Sequence, residues 1–302
     1  MLPLGPKPWQ INSTFASLGM SIFFALSGFL ITKTLIHNSN IYNFLIRRFC
    51  RILPLAWAFL LLALPLVAAT PDAYMAHFLF YANLPPFWLT DLTAHFWSLC
   101  VEMQFYLYMA LLIAALGQRG LKLLPVFCLV VTAGRIWQGE TISIVTYYRV
   151  DEILAGGWLA LAYERQSAEN PLPRFLCWIN SYLLLGLLLI ACHPASGPVN
   201  YFRPYFAVAL VGSTLYQGDA QPFSWLKTNI LSYIGAISYA LYVLHPLTYY
   251  GWLGSGDVII KYAKRPFSIL LSFGLAHLST FYYEKFWISW GKRWTSSTSK
   301  LR

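Results

Sequence analysis

The sequence predicts an all-α protein, a polytopic transmembrane helical bundle of about nine helices. Three observations predict it. The 302 residues are 58% hydrophobic and 18% aromatic but only 11% charged, with a mean hydropathy of +0.55; a soluble domain carries about 25% charged residues. Several apolar runs reach the ~20 residues that a helix needs to cross the hydrocarbon core. Lys and Arg gather at the ends of those runs, as cytosol-facing loops require. The net charge of +10 is therefore a topology signal and not a nucleic-acid one. A β-barrel would read instead as ~10-residue strands of alternating hydrophobicity.

In chain order the crossings fall at about 14–36, 52–69, 96–116, 122–138, 148–163, 174–192, 204–217, 229–250 and 266–290. The chain is organised around residues 18–54. There an apolar run carries Ser27, Gly28 and Phe29, a short polar turn follows, and Arg47, Arg48 and Arg51 precede Pro54 and a second apolar run. Segment 74–84 reads as a short re-entrant or interfacial helix stopped by Pro85 and Pro86.

Charge orients the set. Between Ile52 and Gln118 there is no Lys or Arg, so loop 70–95 faces away from the cytosol. Arg119, Lys122, Arg165, Arg174, Lys227 and the tail residues Lys285, Lys292, Arg293, Lys300 and Arg302 fall on the cytosolic side. Lys261, Lys264 and Arg265 are the exception, on the outer side. This assignment runs the first helix from outside to inside, with Met1 outside. The same pattern is expected of a chain that lacks one preceding helix; ten crossings result when it is restored.

Residues 1–302 read as a single membrane domain without internal repeat or low-complexity segment. Cys50, Cys100, Cys128, Cys177 and Cys192 are scattered and give neither a zinc pattern nor a disulfide framework. No metal site is expected.

An ionisable group inside a bilayer costs at least ~2.5 kcal/mol, so each one is a functional candidate. Arg47, Arg48 and Arg51 share a helix face through their three- and four-residue spacings. Their planar donor forks suit phosphate oxygens. The plainer reading is that they only set topology. His95, Ser98, Glu102, Phe105 and Tyr106 follow helical spacing along one face. Glu102 can serve as a base or orient one, or be satisfied by hydroxyl and arginine partners. Arg149 and Glu152 are three apart and can pair, while Asp151 points elsewhere. That patch is either a structural ion pair or a sugar-binding surface, and Gly156 and Gly157 beside it allow close helix contact. His245 precedes Pro246 near a helix end. Glu284 and Lys285 read as a surface pair.

Six stretches, FFALSGFLI, RRFCRILP, HFWSLCVEMQFYL, YRVDEILAGGWLA, ISYALYVLHP and YYEKFW, occur in this order across nearly the whole chain. Together they resemble the acyltransferase-3 family of integral membrane acyltransferases, which includes bacterial O-acetyltransferases of lipopolysaccharide, capsule and other surface glycans. The resemblance implies a ten-helix bundle in the bacterial inner membrane. It implies transfer of an acyl group, often acetyl, from acyl-CoA on the cytosolic side to a hydroxyl of a surface or lipid-linked sugar.

Acyl-CoA is then a co-substrate, with no bound cofactor. The family's Arg-x-x-Arg element maps onto Arg48 and Arg51 and implies contact with CoA phosphates. Its Ser-Gly-Phe element maps onto Ser27, Gly28 and Phe29 along the route of the acyl donor. Its Trp-Ser-Leu element with a following Glu maps onto Trp97, Ser98 and Glu102. The sequence departs from the family in three places. The helix carrying an Arg and the catalytic His is not represented, EKFW replaces the usual EKP, and Glu102-Met103 stands where two acidic residues are usual. Without that helix, His95 or His245 would have to serve as the base. Two other readings remain: a catalytically inactive fragment, and a transporter of a small anion or lipid-linked sugar.

Overall fold

The structure, a computed structural model, describes residues 9–165, 176, 178–217 and 227–299. Met1, Arg174, Cys177, Lys300 and Arg302, which enter the topology and cysteine readings above, lie outside the described residues. Among the described residues the protein is helical and contains no strand. The α-helices are α1 (Ile11–His37), α2 (Ile41–Leu66), α3 (Pro71–Phe78), α4 (Trp97–Leu116), α5 (Leu124–Gln138), α6 (Thr146–Arg149), α7 (Asp151–Glu164), α8 (Ser181–Cys192), α9 (Arg203–Tyr216), α10 (Asn229–Leu244), α11 (Val258–Leu278) and α12 (Lys285–Ser299).

Among the described residues, four helical runs are long and apolar enough to cross a membrane: Ile11–His37, Ile41–Leu66, the 45-residue run Ala94–Gln138, and Asn229–Tyr249. Their outward faces stay apolar, with Leu111 71% and Leu61 62% exposed. Exposed leucines on helices of this length and hydropathy suit a lipid environment.

The chain divides into two compact units, Met1–Asn40 with Val101–Ser224, and Ile41–Cys100 with Trp225–Arg302. The first unit is built on α1 against α7. Gly28 and Gly156 let the two backbones touch. A Cβ at Gly28 would fall 1.8 Å from the Ile153 carbonyl oxygen, and one at Gly156 would fall 2.1 Å from that of Ala25. Small residues drive close packing where lipid removes the hydrophobic incentive for helices to associate. Ala25, Phe29, Leu159, Leu188 and Leu210 continue this interface into a core shared with α8 and α9.

The second unit pairs α2 with α12 in antiparallel fashion. Arg47 Nε donates to Thr295 Oγ1 at 3.0 Å, Trp294 Nε1 to Tyr42 Oη at 2.7 Å, and Tyr283 Oη to the Pro54 carbonyl at 3.2 Å. Gly291 makes the approach possible, since a Cβ there would meet Cys50 at 2.9 Å.

Helix boundaries depart from the sequence expectation in three informative places. The second crossing, expected at 52–69, begins at Ile41, so the arginines ride on the helix and do not precede it. Pro54 lies inside that helix, where tyrosine hydroxyls bond nearby carbonyls: Tyr239 Oη donates to Ile52 O at 2.6 Å and Tyr283 Oη to Pro54 O. The short helix expected over 74–84 spans Pro71–Phe78 and ends where Phe80 turns left-handed at φ 57°. The last crossing, expected at 266–290, belongs to an unbroken run of α11, a π-helical turn over Ser279–Glu284, and α12.

Candidate functional site

Within the first unit, four helix ends bring five charged side chains together. Arg135 comes from the last turn of α5, Arg149 from the end of α6, Asp151 and Glu152 from the first turn of α7, and Arg203 from the start of α9. All five are buried. Arg135 Nη1 meets Asp151 Oδ2 at 2.5 Å, and its other nitrogens donate to the carbonyls of Glu140 and Thr141 at 3.3 and 2.8 Å. Arg203 Nε donates to Glu152 Oε1 at 2.6 Å, and Ser21 Oγ donates to the same oxygen at 2.8 Å. Arg149 Nη2 lies 3.4 Å from Glu152 Oε2.

The Arg149–Glu152 pair is the one its spacing announces. Asp151 indeed turns elsewhere, and its partner is Arg135. Arg135 and Arg203 escaped the sequence reading. Their signal was an arginine at the end of an apolar run that the charge pattern expects to be poor in basic residues.

The same unit holds Glu102, which accepts from Ser27 Oγ at 3.3 Å and from Tyr106 Oη. Ser27 is the only residue of the Ser-Gly-Phe element that offers a side-chain hydroxyl. Gly28 is spent on the α1–α7 contact, and Phe29 packs edge-on against Tyr163 at 5.6 Å.

In the second unit, Arg47 and Arg51 are exposed and Arg48 is partly buried on α2. Arg47 bonds Thr295 of α12, Arg48 lies 5.9 Å from the Phe44 ring centre, and Arg51 acts electrostatically on Glu284. Glu284 is not the surface partner of Lys285 expected from sequence. It is buried within the π-helical turn and accepts from Ser279 Oγ at 2.9 Å and Thr280 Oγ1 at 3.3 Å. The wider turn points this side chain inward, where Lys285, exposed, does not follow.

His95, Ser98 and His245 come together in this unit. Ser98 Oγ lies 2.5 Å from Tyr242 Oη, and Tyr242 donates to the His95 carbonyl. His245 Nδ1 lies 2.7 Å from the Tyr242 carbonyl, which can only accept, so Nδ1 carries the proton. The two imidazoles meet edge to face with centres 5.1 Å apart, and Phe59 closes on His95 from another side at 5.4 Å. His95 bonds the backbone of Val243, while its Nε2 is shielded from solvent and has no hydrogen-bond partner among the described residues. Trp97 opens α4 beside them and is partly buried. Among the described residues no group of three His, Cys, Asp or Glu side chains can hold a metal ion.

A family profile described as an acyltransferase domain matches residues 2–283. The chain belongs to the acyltransferase-3 family. It is 25% identical over 283 residues to Nodulation protein 10 of Rhizobium leguminosarum bv. viciae, an alignment covering 82% of this chain and 77% of that protein. No solved structure matches it. As a member of the acyltransferase-3 family the protein is a membrane acyltransferase, and its six sequence stretches fall on α1, α2, α4, the α6–α7 junction, α10 and the π-helical turn.

Proposed function

We propose that this protein is a multi-pass enzyme of the bacterial cytoplasmic membrane that moves an acyl group, acetyl in the simplest case, from acyl-CoA to a hydroxyl of a cell-surface or lipid-linked sugar. The observation that carries the reading is the family match across residues 2–283. The arginines of α2 are assigned to the CoA phosphates. Fixed guanidinium forks suit those oxygens and supply positioning.

His95 is the base we assign within this sequence. With Val243 holding one edge of its ring, Nε2 is left to take the proton of the sugar hydroxyl. The hydroxyl oxygen attacks the thioester carbonyl, the C–S bond breaks as the ester C–O bond forms, and the thiolate leaves as CoA and is reprotonated. His245 and Tyr242 position the His95 ring. In the first unit, Glu102 anchors Ser27 of the Ser-Gly-Phe element, and Arg149, Asp151 and Glu152 are assigned to the acceptor side or to its support. In the second unit, Trp97 and Ser98 are assigned to the acceptor side or to the support of His95.

The test is thiol release from acetyl-CoA by membrane vesicles containing the protein. Release is expected in the native protein and should be reduced in the R48A/R51A double variant. Uptake of label into the vesicles without thiol release would overturn the reading in favour of transport.

A further inference from the structure

We propose that the meeting point of Arg203, Arg149 and Glu152 is a binding site for an oxyanion, a carboxylate or phosphate group carried by a ligand. This rests on the assignment of Arg149 and Glu152 to the acceptor side made above and gives that side its ligand chemistry; the binding test below can fail while acyl transfer stands.

The first ground is the state of Arg203. Its side chain is 0% exposed, its Nε is engaged by Glu152, and Nη1 and Nη2 are both out of solvent with no hydrogen-bond partner among the described residues. Arg135, equally buried, is the contrast. Each of its three nitrogens has an oxygen: Glu140, Thr141 or Asp151. The same network thus holds one arginine that is complete and one that presents an unused edge.

The second ground is charge. Asp151 is taken by Arg135, and Glu152 faces both Arg203 and Arg149. Arg203 thus shares its one carboxylate with a second guanidinium. A buried cation is costly unless opposite charge meets it. An oxyanion on the Nη1–Nη2 edge of Arg203 supplies that charge in the bidentate geometry that guanidinium favours.

The third ground is position. Arg203 opens α9 directly after the 3₁₀ connection Pro194–Phe202, and Phe202 beside it is 56% exposed. Arg149 closes α6, and Arg135 lies in the last turn of α5. The charged groups therefore stem from helix ends, and by the charge pattern these ends lie on the non-cytosolic side. A ligand approaches them past connections and not through the middle of packed helices. Two sources carry this chemistry: an acidic sugar, through its carboxylate, and a lipid or lipid-linked sugar, through its phosphate.

The test uses the full chain, purified in a neutral detergent and freed of lipid, with thermal unfolding followed against sodium phosphate or sodium glucuronate. Glucose and sodium chloride at matched ionic strength are the controls. The proposal expects a saturable rise in Tm with at least one oxyanion and none with the controls. A response to phosphate alone assigns a phosphate ligand, and a response to glucuronate alone assigns an acidic sugar. R203Q should lose the response. Since R203Q removes a buried group on which folding itself can depend, E152Q is the second variant. It releases Arg203 and Arg149 from their internal anion and should shift half-saturation to lower oxyanion concentration. A merely structural network predicts lower stability in E152Q without that shift. Absence of any oxyanion response in the native chain, or an unchanged half-saturation in E152Q, overturns the proposal.

Discussion

Arg203 Nε sits 2.6 Å from Glu152 Oε1, with neither side chain showing any exposed surface. The pair joins the start of α9 to the first turn of α7, and Ser21 of α1 donates to the same carboxylate oxygen. One acidic residue thereby ties three helices of the first unit. The glycine contacts along α1 and α7 then set how closely two of those helices approach.

The neighbouring pair Arg135–Asp151 should behave as a structural ion pair. Breaking a buried pair by removing one partner strands the other charge and costs about 3–5 kcal/mol, whereas replacing both with apolar residues costs far less. D151L alone is expected to destabilise strongly, and R135M/D151L to recover much of the loss. Unfolding of the detergent-solubilised variants, arranged as a double-mutant cycle, reads the coupling. Simple additivity would contradict the assignment.

Gly28 and Gly156 are predicted to tolerate no side chain. G28A places a methyl group 1.8 Å from a backbone oxygen of α7, and overpacking of this kind costs about 1–3 kcal/mol or more. G19A is the control on the same helix, because nothing lies within 4 Å of a Cβ there. It should be neutral or slightly stabilising, since alanine favours a helix by up to ~1 kcal/mol over glycine. Thermal unfolding of both variants distinguishes tight helix contact from general intolerance of α1.

His77 in α3 gives a pH dependence with a definite sign. Nδ1 lies 2.7 Å from the Ala73 carbonyl and Nε2 lies 2.8 Å from Thr93 Oγ1. Burial lowers its pKa below the ordinary value, against the pull of the Ala73 hydrogen bond. The unfolded chain therefore binds the proton more readily than the folded one. Its stabilising contribution is complete above pH ~6.5 and falls as the pH drops toward the lowered value, by up to about 1.4 kcal/mol per pH unit. H77N should flatten that part of the stability–pH curve. An unchanged slope between pH 7 and pH 5 would show that His77 is not the titrating group.

For catalysis, H95Q should lower kcat by about 10²–10⁴-fold while leaving the KM for acyl-CoA near its native value. R48A/R51A should raise that KM with a smaller effect on kcat, the signature of lost ground-state donor contacts. H245Q is expected to fall between these, because His245 touches the proposed base and not the substrate. Reversal of the two patterns would exchange the proposed roles.

Much of the architecture was legible because lipid imposes simple rules. The first crossing, expected at 14–36, appears as Ile11–His37, and that expected at 96–116 appears as Trp97–Leu116. Apolar length alone marks such helices. The starts of α2 and α11 were not legible, since the polar residues that flank an apolar run carry no signal that a helix continues through them. The Arg149–Glu152 pairing was readable from spacing within one segment. Arg135 and Arg203 were not, because their partners lie 16 and 51 residues away in sequence and only the packing of α5, α7 and α9 brings them in. Glu284 was misjudged for a related reason: a π-helical turn rotates it away from the face that regular helical spacing assigns.

The central claim, acyl transfer to a hydroxyl, is tested most directly by following label. Membranes containing the native protein or H95Q are given acetyl-CoA labelled in the acetyl group, and the glycan and glycolipid fractions are recovered. The account predicts label in the native sample as a base-labile ester, matched mole for mole by free CoA, and loss of both in H95Q. Free CoA without an acylated glycan, or equal labelling in H95Q, would contradict it.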